Sequence, residues 1–129
     1  MLKQGILNPN INSLLSRVRH TNTLVIADRG FPYWPAIETI DISLTDNVPR
    51  VLDVLRAVQA ACNFGAAYMA EEFRSVNESS IELELRTVLG RMPLNFEPHI
   101  QFKKRVPLAI GLIRTGDTIQ YSNIILESA

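Results

Sequence analysis

The side chains of this chain best suited to chemistry are two histidines, one aspartate in a turn-forming cluster and a Tyr-Ser-Asn triplet near the C-terminus. His20 stands eight residues before Asp28. Imidazole titrates near neutrality, at about 6.5 when unperturbed, so a histidine close to a carboxylate suits proton transfer at physiological pH. A helix-turn-strand hairpin brings such a pair to one crevice, although the spacing does not require it. The plainer roles are a helix-terminal cap for His20 and a turn residue before Gly30 for Asp28. His99 follows Pro98 and precedes Lys103-Lys104-Arg105, a run that reads as a solvated helix face. Tyr121 and Asn123 alternate with Ser122 and Ile124, which puts the first two on one face of a strand. Phenol and amide groups recognise hydroxyls, and polar residues also line ordinary edge strands. Tyr33 and Trp34, held between Pro32 and Pro35, form a rigid aromatic loop suited to stacking on a sugar ring or to a subunit contact.

Several chemistries lack their residues. No Gly-rich loop is followed by Lys and Ser/Thr, and no G-x-G-x-x-G follows a strand, so nucleotide and dinucleotide binding are unsupported. The two histidines lie far apart, and neither has a second His or Cys at ligand spacing. No G-x-S-x-G marks a hydrolase nucleophile. The single cysteine, Cys62, closes no intrachain disulfide and builds no multi-thiolate zinc site. Redox, phosphoryl-transfer and metal-hydrolysis chemistries therefore drop down the list. What remains is a chain with only two histidines, one of them eight residues before an aspartate at a strand end.

These residues must be positioned by short alternating elements. Asn10 or Asn12 is expected to cap a first helix whose apolar stripe is Ile11, Leu14, Leu15 and Val18, with His20 at its end. Thr23–Ala27 is a continuous apolar run, the pattern of a strand buried on both faces, and it stops at the turn cluster Asp28-Arg29-Gly30-Phe31-Pro32. Strands are expected at 39–44, 64–70, 94–97, 106–114 and 123–126. Helices are expected after Pro49, with Val51, Leu52, Leu55, Val58 and Cys62 on one side, and at 77–89, stopped by Gly90, and 101–105. Alternation of this kind predicts an α/β domain with a mostly parallel sheet flanked by helices, and a crevice at the carboxyl ends of its strands.

Composition agrees with one such domain over residues 1–129. Apolar residues make up 47% of the chain, enough for a core without staples. Thirteen Lys plus Arg balance thirteen Asp plus Glu, which gives no overall field toward nucleic acid or an anionic membrane. The N-terminus lacks a signal-peptide core, and the longest apolar stretch, Val106 to Ile113, is far short of a membrane span. A soluble, cytoplasmic protein is expected.

Four stretches, taken in order and spacing, resemble the D-ribose pyranase and L-fucose mutarotase family. They are Gly5-Ile6-Leu7-Asn8; Arg19-His20-Thr21-Asn22-Thr23-Leu24-Val25-Ile26-Ala27-Asp28 with Gly30 and Pro32; His99-Ile100-Gln101-Phe102-Lys103; and Ile113-Arg114-Thr115-Gly116-Asp117 through Tyr121-Ser122-Asn123-Ile124-Ile125-Leu126. The resemblance implies a three-layer-like α/β fold and a ring-shaped homo-oligomer, a decamer in the pyranase branch. It implies an isomerase that needs no cofactor and interconverts cyclic forms of a free monosaccharide. A non-catalytic sugar-binding or transport-accessory protein of the same fold is the alternative. It also implies His20 as catalytic acid, with Asp28, His99, Tyr121, Ser122 and Asn123 binding sugar hydroxyls, and a Tyr-x-Asn segment able to complete a neighbouring subunit's site. Arg19, Arg29 and Tyr33-Trp34 depart from the family pattern and predict a crowded pocket mouth.

Overall fold

A computed structural model covers residues 1–129. Six strands form one sheet: β1 (Thr23–Ala27), β2 (Glu38–Asp41), β3 (Phe64–Ala70), β4 (Leu94–Glu97), β5 (Gly111–Arg114) and β6 (Ile124–Ser128), in the order β2-β5-β1-β6-β3-β4. β1 pairs in parallel with β5, β5 with β2, and β3 with β4. β6 lies between β1 and β3 and runs antiparallel to both. Five strands therefore point one way, and the start of β6 meets their carboxyl ends.

Strand β1 shows why the sheet is covered on both faces. Leu24 and Ile26 enter one apolar cluster, and Val25 and Ala27 enter another, as period-two alternation requires. The larger cluster packs under α1 (Pro9–Ser16), α2 (Val51–Ala61) and α4 (Ser79–Leu89). The smaller one packs under α5 (His99–Arg105) and a 3-10 turn, Val106–Leu108, with Phe102 fully buried and Phe31 beside it. Each such buried Leu, Ile or Phe side chain contributes about 1.5–3 kcal/mol. The three-layer α/β expectation holds.

Several boundaries move, for local reasons. Asn8, rather than Asn10 or Asn12, caps α1: its Oδ1 accepts the Asn10 and Ile11 N–H groups at 2.9 and 3.0 Å. Pro9 at the first helical position suits that start, while the Asn12 amide donates instead to the Ile6 carbonyl. The helix ends at Ser16, so His20 lies beyond it, in a turn where the Asn22 side chain accepts the Arg19 N–H at 2.8 Å. β2 stops at Asp41 because the Asp41 carboxylate accepts the Ser43 N–H at 2.9 Å and turns the chain. The strand expected over 106–114 is a 3-10 turn followed by β5, with Val106 buried but Leu108 exposed. A short helix, α3 (Glu72–Val76), was not expected.

Candidate active site

The carboxyl ends of the parallel strands and the start of β6 enclose an open cleft of about 260 Å³, just under the ~300–1,000 Å³ usual for small-molecule sites. Asp28, His99, Tyr121 and Asn123 all line it, with Lys103, Gln120, Gly30, Phe31 and Pro32. Three separate parts of the chain meet here: the turn leaving β1, the first turn of α5 after β4, and the loop entering β6.

Each part is held by its own bonds. The Asp28 Oδ1 accepts the Gly30 N–H at 2.9 Å, so the plain turn role coexists with a place in the cleft. Asn123 Oδ1 accepts the Asp28 backbone N–H at 2.7 Å, which ties the end of β1 to the start of β6. The loop before β6 is fixed from beneath. The buried Thr115 hydroxyl donates to the Ala27 carbonyl at 2.8 Å and accepts the Asp117 N–H at 3.1 Å. The buried Asp117 carboxylate accepts Val51 N–H at the start of α2 and Ile119 N–H, each at 2.8 Å. Tyr121 sits in the left-handed region at φ 58°, and this turn, rather than strand alternation, brings Tyr121 and Asn123 to the cleft together. The Tyr121 ring meets the His99 ring edge to face at 5.0 Å, and His99 stacks on Phe102 at 5.9 Å.

Burial sets the two titratable groups. It pushes the Asp28 carboxyl above the ordinary carboxylate value, and nearby Asp117 adds to the rise. The N–H groups of Gly30 and Phe31 and the Asn123 side chain oppose it without cancelling it. Burial pushes His99 below its ordinary value; Lys103 adds to the fall, and Glu72 and Asp28 oppose it. His99 Nδ1 is buried without a hydrogen-bond partner. The cleft thus presents an imidazole and a carboxyl whose burial disfavours their charged forms, beside the side chains of Tyr121, Asn123 and Lys103. Groups of these types can hydrogen-bond several hydroxyls and pass a proton between them. No three His, Cys, Asp or Glu side chains gather as metal ligands would.

The remaining expected residues lie elsewhere. Ser122 is buried, its hydroxyl has no partner, and it lines a small cavity between α2, α3 and α4 rather than the cleft. His20 is exposed and precedes β1, at the opposite end of the sheet from Asp28. There the neighbouring Thr21 N–H bonds the Ser128 carbonyl at the end of β6. One chain therefore does not bring His20 and Asp28 together. The crowded mouth is also absent: Arg29 turns away to Asp46 at 2.6 Å, Trp34 stacks on Phe31, and neither they nor Tyr33 line the cleft. Sequence reasoning missed Lys103, whose basic run is not uniformly solvated. Arg105 pairs with Glu97 and lies over the Tyr68 ring, whereas Lys103 faces the cleft.

The model of the RbsD / FucU transport protein family matches residues 1–129. The chain belongs to the RbsD/FucU family. A D-ribose pyranase of Geobacillus kaustophilus is 42% identical over 128 residues, covering 99% of this chain and 93% of that one. A D-ribose pyranase of Lactobacillus johnsonii is 35% identical, covering 99% and 97%. Bacillus subtilis RbsD, solved in complex with D-ribose, superposes with a TM-score of 0.92 at 29% identity and covers 100% and 98% of the two chains. The fucose mutarotase of Streptococcus pneumoniae, solved with L-fucose, shares the fold at a TM-score of 0.83 and 19% identity, with 99% and 98% covered. No helix of the chain is long and apolar enough to cross a membrane.

Proposed function

We propose that this RbsD/FucU member is an isomerase that interconverts cyclic forms of a free monosaccharide such as ribose or fucose, by acid-base opening of the ring. The observation that carries this reading is the convergence of Asp28, His99, Tyr121 and Asn123, from three distant segments, on one cleft. Membership of a family that includes D-ribose pyranases supports it.

The reaction needs little more than these groups. A base removes the anomeric hydroxyl proton as an acid protonates the ring oxygen, the bond from the anomeric carbon to the ring oxygen breaks, and an open aldehyde forms. A different hydroxyl, or the same hydroxyl on the other face, then adds to the carbonyl as the protons return. Positioned proton transfer of this kind is worth about 10²–10⁴-fold. Asp28, His99, Tyr121 and Asn123 hold the hydroxyls in this reading, and His20 is the acid. Because His20 lies at the far end of β1, it would enter the cleft of a neighbouring copy in a ring-shaped homo-oligomer, a decamer by family likeness. Ser122, which lines another cavity, holds no hydroxyl in this reading. The reaction requires no cofactor, and the lone free thiol, Cys62, suits the reducing cytoplasm.

NMR exchange spectroscopy on ribose and fucose, with wild type and His20→Ala, tests the proposal. Faster exchange between cyclic forms with wild type, lost in the variant, is the expected result. Sugar binding by calorimetry without any acceleration would instead make this a non-catalytic binding or transport-accessory protein.

A further inference from the structure

The five-residue helix α3 touches both walls of the cleft without lining it. At its start, the Glu72 carboxylate accepts the His99 backbone N–H through both oxygens, each at 3.1 Å. His99 opens α5, and Pro98 before it has no side chain able to cap. Glu72 therefore does from another element what a capping residue does locally. Just beyond the helix, the Asn77 side-chain amide donates to the Phe73 and Gln120 carbonyls, both at 2.9 Å. Gln120 directly precedes Tyr121, whose backbone is held at φ 58°. Between these two anchors Phe73 is buried and stacks on Phe96 of β4. The two rings so held, His99 and Tyr121, are the pair that meets edge to face at 5.0 Å.

We propose that Glu72–Asn77 is a brace that sets the His99–Tyr121 geometry, with Glu72 and Asn77 as positioning residues of the sugar site. The inference rests on the isomerase reading of the cleft. Four groups face the His99 ring: Lys103 from its own helix, Glu72 from α3, Asp28 from the end of β1, and the Tyr121 phenol. Glu72 thus acts on His99 both by geometry and by charge, and the two effects are separable.

Glu72→Ala removes acceptor and charge, Glu72→Gln removes only the charge, and Asn77→Ala removes the link to the Gln120 carbonyl. Exchange NMR gives kcat and KM, while the His99 amide shift and imidazole titration are read directly on the protein. Glu72→Ala and Asn77→Ala are expected to lower kcat/KM by about tenfold or more, because small misplacements of reacting groups are heavily penalised. Glu72→Ala should also move the His99 amide upfield. Glu72→Gln should keep turnover within about threefold of wild type while His99 titrates lower, since Asp28 alone then opposes Lys103. Unchanged kcat/KM in Glu72→Ala and Asn77→Ala, with an unchanged His99 amide and titration, overturns the brace; so does a lower melting temperature with full kcat/KM. If Glu72→Ala does not fold, full kcat/KM in Asn77→Ala with an unmoved Tyr121 amide shift overturns it. A wild type that accelerates no sugar exchange sinks the isomerase reading instead, and the amide and titration measurements still decide the brace.

Discussion

Mixing two inactive variants should restore activity. His20 precedes β1 and Asp28 follows it, and the five residues of that strand separate their two ends by about 17 Å. A hydrogen bond spans about 3 Å, so no side-chain rotation joins the pair within one chain. If each cleft takes its His20 from a neighbour, His20→Ala and Asp28→Asn damage opposite partners of every contact. Each variant alone should lose about 10²–10⁴-fold. In a 1:1 mixture assembled at random, half the clefts keep Asp28 and half of those meet an intact His20. About a quarter of the sites are then whole, and the exchange rate should recover to about 25% of wild type. The two variants would carry different affinity tags and be refolded together, so that tandem purification proves mixed assemblies before exchange NMR on ribose and fucose is run. Mixed assemblies whose rate is only the average of the two inactive parents would refute the shared site.

Thr115→Val leaves the Asp117 N–H without its buried acceptor, while the Ala27 carbonyl keeps only the Thr115 backbone N–H; thermal melts should show a loss of about 1–3 kcal/mol, with KM raised as the loop before β6 loosens. Gly116→Ala places a Cβ 2.1 Å from the Thr45 carbonyl oxygen and 3.1 Å from that of Val48. Backbone cannot yield as a side chain does, so the expected cost is about 3 kcal/mol or more, a fall in Tm of more than ~10 °C by calorimetry. Asp28→Asn should melt above wild type at pH 7 while losing activity. Burial raises the Asp28 pKa above 3.8, so the folded state holds the proton longer than the unfolded chain, and wild-type stability declines as pH rises through that window. The advantage of the variant should vanish below pH 3.8, and a constant offset across the pH range would contradict the burial argument.

How much of this was legible in the sequence depends on whether local pattern or tertiary contact decides each feature. The strands β1 and β3 are readable as short runs of apolar and small residues, and β4 as a four-residue apolar–polar alternation between Pro93 and Pro98. α3 was not: five residues with one buried side chain, Phe73, carry no periodicity to detect. Val106–Ile110 misled because a buried valine followed by Pro107 and an exposed Leu108 has the composition of a strand and the backbone of a 3-10 turn. Asp28, His99, Tyr121 and Asn123 stand out by residue type, but only likeness to a family implies a shared site, since their spacing says nothing of convergence. The pairing of His20 with Asp28 was suggested by their closeness in sequence, and that closeness is the misleading feature: a strand runs between them.

The direction of β6 explains both outcomes. In a wholly parallel sheet, residues that precede a strand lie at the amino end, away from the crevice. His20, just before β1, obeys that rule. Tyr121 and Asn123 also precede a strand, yet they reach the cleft, because β6 alone runs backwards and begins where β1 ends. The Asn123 side chain then bonds the Asp28 N–H directly across the β1–β6 boundary. One reversed strand therefore gathers the cleft's side chains within a single chain and leaves His20 at the other rim. A subunit with a cleft at one end of its sheet and an imidazole at the other is polar along its strands. If one chain's imidazole enters the next chain's cleft, as proposed, the contact is head to tail and heterologous, and such contacts close into rings when the rotation permits.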